Sequence, residues 1–181
     1  MVKKNGIRFL ILILLALAFF VLGIQIGRAR YIPHYHGYQP KILVSDFWNH
    51  RLVRMDNIEG KGFVSLGDAG RGIGQFNGPR AIAVDSKGRI YLVDSGNDRI
   101  IRMNNIQGDG WKSYGHPGGG IGEFNDPRGI ALDAKGRIYI ADFGNNRIVR
   151  IDNMNGRNWV SFGVHGSGLG EFAGPISIAV H

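Results

Sequence analysis

A 48-residue unit is written almost three times in this chain. Arg80 to Pro127 and Arg128 to Pro175 agree at 26 of 48 positions, and Lys41 to Pro79 is the tail of an earlier copy. A fixed period of this length confines the chain to stacked copies of one supersecondary unit, each burying its apolar faces against its neighbours. Asp46, Asp94 and Asp142 recur in step, as do Arg51, Arg99 and Arg147, then Phe63, Trp111 and Trp159, then Pro79, Pro127 and Pro175.

Within one copy, period-2 apolar runs fall into four short segments bounded by Gly, Asn or Asp, the pattern of a four-stranded antiparallel meander. Segment a is Ala81 to Val84, b is Arg89 to Val93, c is Arg99 to Met103, and d holds Trp111 to Tyr114. Between a and b, Asp85-Ser86-Lys87-Gly88 supplies a glycine where a tight hairpin needs positive φ. The charged ends of c predict a strand nearer the solvent edge. No copy has an apolar run at 3.6-residue spacing long enough to bury, which excludes a helical repeat. Four-strand repeats of this length are read as propeller blades packed face to face around an axis.

The residues also carry a resemblance. Phe76-Asn77-Gly78-Pro79-Arg80-Ala81-Ile82-Ala83-Val84-Asp85, followed by Gly88 to Ile100, resembles an NHL repeat, and Phe124 to Ile148 repeats it. The resemblance extends from Lys41 to the end and implies a β-propeller, typically of six blades. This chain carries only half that number. Its segments run b-c-d, a-b-c-d, a-b-c-d and then a lone a, Ile176 to Val180, twelve strands or three blades in all. An array of three blades leaves apolar faces and unpaired edges in water. Two expectations stand side by side. Either two chains form a six-bladed homodimeric ring, each donating its terminal a strand to the other's first blade, or the sequence is a piece of a longer propeller.

The first thirty residues are of another kind. Lys3, Lys4 and Arg8 precede a run from Phe9 to Ile26 whose one polar residue is Gln25, and Arg28 and Arg30 follow. Eighteen residues at helical rise span roughly 27 Å, enough for a bilayer core. The expected order is a basic cytoplasmic segment at 1–8, a transmembrane signal anchor at 9–27, a linker at 28–40 and the repeats at 41–181. Cleavage of a signal peptide near Ala29, giving a secreted protein, is the competing reading. The greater basic charge before the run favours an N-terminus inside and repeats outside the cytoplasm. The fold class expected is therefore all-β, with blades of four antiparallel strands and one N-terminal transmembrane helix.

Charge follows the same division. Five of the 22 basic residues and none of the 14 acids lie in the first thirty positions, so the repeats carry 17 against 14, or +3. Some NHL domains bind RNA through a basic face, but +3 on the body and an extracytoplasmic placement argue against nucleic acid. With no cysteine, disulfides and thiolate chemistry are excluded.

Gly70-Arg71-Gly72-Ile73-Gly74, Gly118 to Gly122 and Gly166 to Gly170 mimic phosphate-binding loops. Such a loop needs a helix after it. Here a strand follows, so these are connectors from d of one blade to a of the next, with Phe76, Phe124 and Phe172 as plugs between blades. The Asp94–Arg99 and Asp142–Arg147 sets recur in every copy, whereas a catalytic group need occur once; they are read as braces. Trp111 and Trp159 are read as packing.

Function is sought where copies differ. The b-to-c turns read Phe47-Trp48-Asn49-His50, Ser95-Gly96-Asn97-Asp98 and Phe143-Gly144-Asn145-Asn146, and the connectors differ at His116-Pro117 against Val164-His165. Both loop classes emerge on one face of a propeller. Phe47, Trp48, His50, Arg80, Arg128 and Phe143 are the candidate binding residues, because aromatics and arginine anchor recognition surfaces. The expected partner is a protein, peptide or glycan outside the cytoplasm. Propellers related to this family include lyases and hydrolases with an axial metal, and that is the alternative. None of the six histidines has a partner at ligand spacing, and neither H-E-x-x-H nor G-x-S-x-G occurs, so no catalytic residue, metal ligand or cofactor is assigned.

Overall fold

The computed structural model describes residues 41–181. The basic segment at 1–8, the transmembrane helix at 9–27 and the linker at 28–40 lie outside the described residues. Among the described residues no helix is long and apolar enough to cross a membrane.

Three antiparallel sheets follow one another along the chain. The first joins β1 (Ile42–Asp46), β2 (Arg51–Met55) and β3 (Val64–Leu66). The second joins β4 (Pro79–Val84), β5 (Ile90–Asp94), β6 (Arg99–Met103) and β7 (Lys112–Tyr114). The third repeats it with β8 (Pro127–Leu132), β9 (Ile138–Asp142), β10 (Arg147–Ile151) and β11 (Val160–Phe162). Each strand pairs with the next, as a meander requires. The innermost strands β4 and β8 lie side by side, and β1 lies beside β4.

Local chemistry fixes the hairpins. Asp85 Oδ1 accepts the amides of Lys87 and Arg89 at 3.0 Å each, and Gly88 takes φ 78°, which a residue with a Cβ adopts at a cost. Asp133 does the same for Lys135 and Arg137.

Alternation along β5 shows how blades stack. Ile90 and Leu92 enter a core with Leu52, Phe76, Ile101 and Met103, while Tyr91 and Val93 point the other way, into a core with Phe124, Ile138 and Ile140. Successive side chains of a strand face opposite sides. A middle blade is therefore apolar on both faces, and every residue of β5 is buried.

Four features differ from the sequence reading. The connectors contain short parallel pairs, Asp68–Ala69 with Gln75–Phe76 and its two repeats. The b-to-c turns at Ser95–Asn97 and Phe143–Asn145 are single 3₁₀ turns closed by left-handed Asp98 and Asn146. The charged end of c is not at the solvent edge: Arg99 is buried, because the preceding connector folds over it and supplies acceptors. Ile176 to Val180 forms no strand. It runs along β8, close enough that a Cβ on Gly129 would meet the Ile176 carbonyl oxygen at 2.8 Å, and no strand among the described residues pairs with it.

Candidate binding surface

The face bearing the b-to-c turns and the connectors rests on a repeated brace. Asp94 Oδ2 accepts from Arg99 Nε at 2.7 Å and Asn97 Nδ2 at 2.8 Å, and Oδ1 accepts the Asn77 amide at 2.6 Å. Arg99 donates onward to the carbonyls of Arg71 and Gln75, and Asn97 to that of Gly70. Asp142, Asn145 and Arg147 repeat the arrangement one blade later. These charges are fully committed within the fold, as read from their recurrence.

On this platform the copies diverge. Where the turn opens with phenylalanine, the facing position one blade on is glycine: a Cβ on Gly78 would sit 2.7 Å from the Phe47 ring, and one on Gly174 2.5 Å from the Phe143 ring. Where the turn opens with Ser95, the facing residue is Asp126, at φ 45°, and Ser95 Oγ donates to its Oδ1 at 2.5 Å. Arg128 donates to Asp126 Oδ2 from Nε at 2.9 Å and Nη2 at 2.5 Å. Arg80 donates through Nε to Ser95 Oγ at 3.1 Å and lies 3.8 Å from Asp126 Oδ1. Burial alone would raise the Asp126 carboxyl; hydrogen bonds from Arg128 and Ser95 and the charges of Arg128 and Arg80 outweigh it and hold it below the ordinary range. Asp98 beside it moves the other way, raised by burial and by the Asp126 charge, against the amide of Asp126 that it accepts.

Five of the six residues singled out in the sequence flank this cluster. Arg80 stacks over Phe47 with Cζ 4.6 Å from the ring centre, and Arg128 over Phe143 at 3.3 Å. Trp48 meets Phe47 edge-on at 4.9 Å and is 85% exposed. The sixth, His50, is engaged in the fold: its Nδ1 accepts the Gly78 amide at 3.1 Å, as Asp98 accepts from Asp126 and Asn146 from Gly174. Sequence reading missed Ser95, Asp98 and Asp126. The signal was present, since Asp126 stands where the other copies have Gly78 and Gly174.

An open trough of about 490 Å³ runs beside the cluster, between Arg80, Arg128 and Gly129 on one side and Ile176 to Ile178 on the other. Both Nη groups of Arg80 are without a hydrogen-bond partner among the described residues. Also among the described residues, no three His, Cys, Asp or Glu side chains converge as metal ligands do.

The NHL repeat matches residues 76–102 and 124–151. These two NHL repeats span a to c of the second and third sheets; the first copy lies outside the match although its b, c and d strands fold alike. Among solved structures, a streptogramin B lyase superposes with a TM-score of 0.55 at 16% identity, and a virginiamycin B lyase from Staphylococcus aureus with 0.55 at 18%. Each alignment covers 77% of this chain and 41% of the other, so the chain spans about two-fifths of the length of these propellers. At this identity the likeness concerns the fold: β-propeller blades carrying NHL repeats. No protein of curated function matches the sequence.

Proposed function

We propose that this chain is a membrane-anchored, non-catalytic binding module whose variable face takes a carboxylate-bearing segment of a protein or peptide outside the cytoplasm. One observation carries the reading: Arg80, whose Nη groups have no hydrogen-bond partner among the described residues, lines an open trough and stacks on Phe47, against which the exposed indole of Trp48 sits edge-on. A guanidinium already held by Nε and an aromatic face presents a planar fork to a carboxylate with little further ordering. The indole supplies apolar area beside it, the combination found at the energetic centres of interfaces. The run at 9–27 is the proposed anchor and places the repeats outside.

The lyase names of two structural neighbours support a second reading, catalysis. Against it, the acids of the site are engaged: Asp126 by two arginines and Ser95, Asp94 and Asp142 in braces. A general base would need a carboxylate or imidazole free to reach substrate.

Selection of a random-peptide display library on the immobilised chain tests the proposal. It predicts enrichment of peptides with Asp or Glu next to an aromatic or aliphatic residue, lost on Arg80→Ala and on Trp48→Ala. Enrichment of basic or neutral peptides would contradict it, as would selective capture of uronic-acid oligosaccharides from a parallel glycan array with no peptide selected.

A further inference from the structure

An antiparallel meander puts the a-to-b hairpins and the c-to-d loops on the face opposite the b-to-c turns. Between the second and third sheets this opposite face opens into a groove of about 290 Å³, lined by Arg102 and Lys112 of the second sheet and by Lys135 and Met154 from the loops of the third. Arg89 is the fourth cation of the lining, and Asp152 is its one carboxylate. Both of these are engaged: Arg89 by Asp85 at 2.6 Å, and Asp152 by Asn158 Nδ2 at 2.7 Å. Among the described residues no carboxylate pairs with Arg102, Lys112 or Lys135. Arg102 Nη2 donates to the Gly110 carbonyl at 2.9 Å, and its Nη1 has no partner among the described residues.

Strand register puts the cations together. Tyr91, Arg102 and Lys112 stand opposite one another across β5, β6 and β7. All three therefore project from one face of the sheet, the face that Tyr91 turns toward the third blade. The corresponding rows are Leu43, Arg54 and Val64 in the first sheet and Tyr139, Arg150 and Val160 in the third. The arginine belongs to the repeat, and in each copy its Nε is enclosed without a hydrogen-bond partner. The lysine does not. Where the other copies set a valine beside this arginine, the second sets another cation. Like charges directly opposite on neighbouring strands destabilise a sheet, and valine suits a strand better than lysine. The fold gives no reason for Lys112, whereas an anion held between the two cations does.

We propose that this groove binds a phosphate group, with Arg102 Nη1 and the ammonium groups of Lys112 and Lys135 donating to its oxygens. A phosphate ester carries about 1.5 to 2 negative charges near neutral pH and offers three strong acceptor oxygens. That matches three donors, whereas a carboxylate would leave part of the cationic charge uncompensated. Tyr91 and Met154 supply apolar lining for a small organic group esterified to the phosphate. The site is separate from the surface around Arg80, which lies on the other face.

Calorimetric titration of the detergent-solubilised full chain with inorganic phosphate and with glycerol 3-phosphate, at ionic strength held constant with chloride, tests the site. Saturable binding is expected, weakened at least about tenfold by Lys112→Val. This variant carries the residue of the other two copies and should fold. In phosphate-free buffer it should melt above the parent, because the like-charge pair is gone. Heat no greater than that of matched chloride would overturn the site, as would phosphate binding unchanged by Lys112→Val. Melting below the parent would overturn the reading of Lys112 by showing that it serves the fold. Nanodiscs separate the two sources of phosphate. If a phosphomonoester headgroup fills the groove, phosphatidic acid discs should abolish the titration that phosphatidylcholine discs preserve. Equal titration in both discs upholds the site and assigns it to a soluble phosphate ester.

Discussion

Arg99 lies across the seam between two blades: its Nε donates to the buried carboxylate of Asp94 at 2.7 Å, while its Nη groups reach back to the preceding connector at 2.7 and 3.0 Å. One ion pair thus ties a turn of its own blade to the loop that leaves the previous one. Removing one partner of a buried pair leaves the other charge uncompensated, at about 3–5 kcal/mol. Asp94→Asn should lower the unfolding free energy measured by urea denaturation by that amount. Asp46→Asn, in a pair that is about a quarter to a third exposed, should lower it far less.

The plugs make a parallel comparison. Phe124 is fully buried against Tyr114 and Trp159, and truncating such a ring costs about 3–5 kcal/mol. Phe124→Ala should show that loss in thermal unfolding at any protein concentration.

The Phe–Gly and Ser–Asp pairings across the seams make a coupled exchange. Ser95→Phe alone would collide with Asp126, and Asp126→Gly alone removes the acceptor of Ser95 and Arg128. The double variant rebuilds the Phe143–Gly174 arrangement. A double-mutant cycle should give a favourable coupling of about 0.5–3 kcal/mol; additive losses would contradict the pairing.

Acid sensitivity should trace to the hairpin turns. Burial by itself would raise the Asp133 carboxyl, but the Arg137 amide and guanidinium and the Lys135 amide hold it down to about 2. A folded pKa below the unfolded value adds stability that is present above the unfolded pKa and lost as pH falls through the folded one. Asp133→Asn should therefore flatten the fall in stability between about pH 4 and pH 2 and leave the neutral region parallel to the parent curve.

Periodicity made the fold legible. The a, b, c and d segments read from alternation fall within two residues of β4 to β7, because each strand is short, apolar on alternate positions and bounded by Gly or Asp. The parallel pairs inside the connectors were not legible, since two residues held by loop geometry leave no alternation. The burial of Arg99 was not legible either: a charged residue at a strand end reads as solvent-facing until the connector that satisfies it is placed. At the site, Phe47, Trp48, Arg80, Arg128 and Phe143, chosen as aromatics and arginines on the loop face, flank the Ser95–Asp126 cluster. The engagement of His50 with the Gly78 amide is visible only once the next blade is in position.

Arg80 and Trp48 are proposed to hold a carboxylate on the variable face. The most direct measurement is a calorimetric titration of the intact chain with the best acidic peptide from the display selection, repeated for its Asp/Glu-to-Asn/Gln counterpart and for Arg80→Ala. Each change should weaken Kd at least about tenfold, about 1.4 kcal/mol, with no further loss when they are combined. Equal affinity for the acidic and amide peptides, or independent losses that simply add, would contradict it.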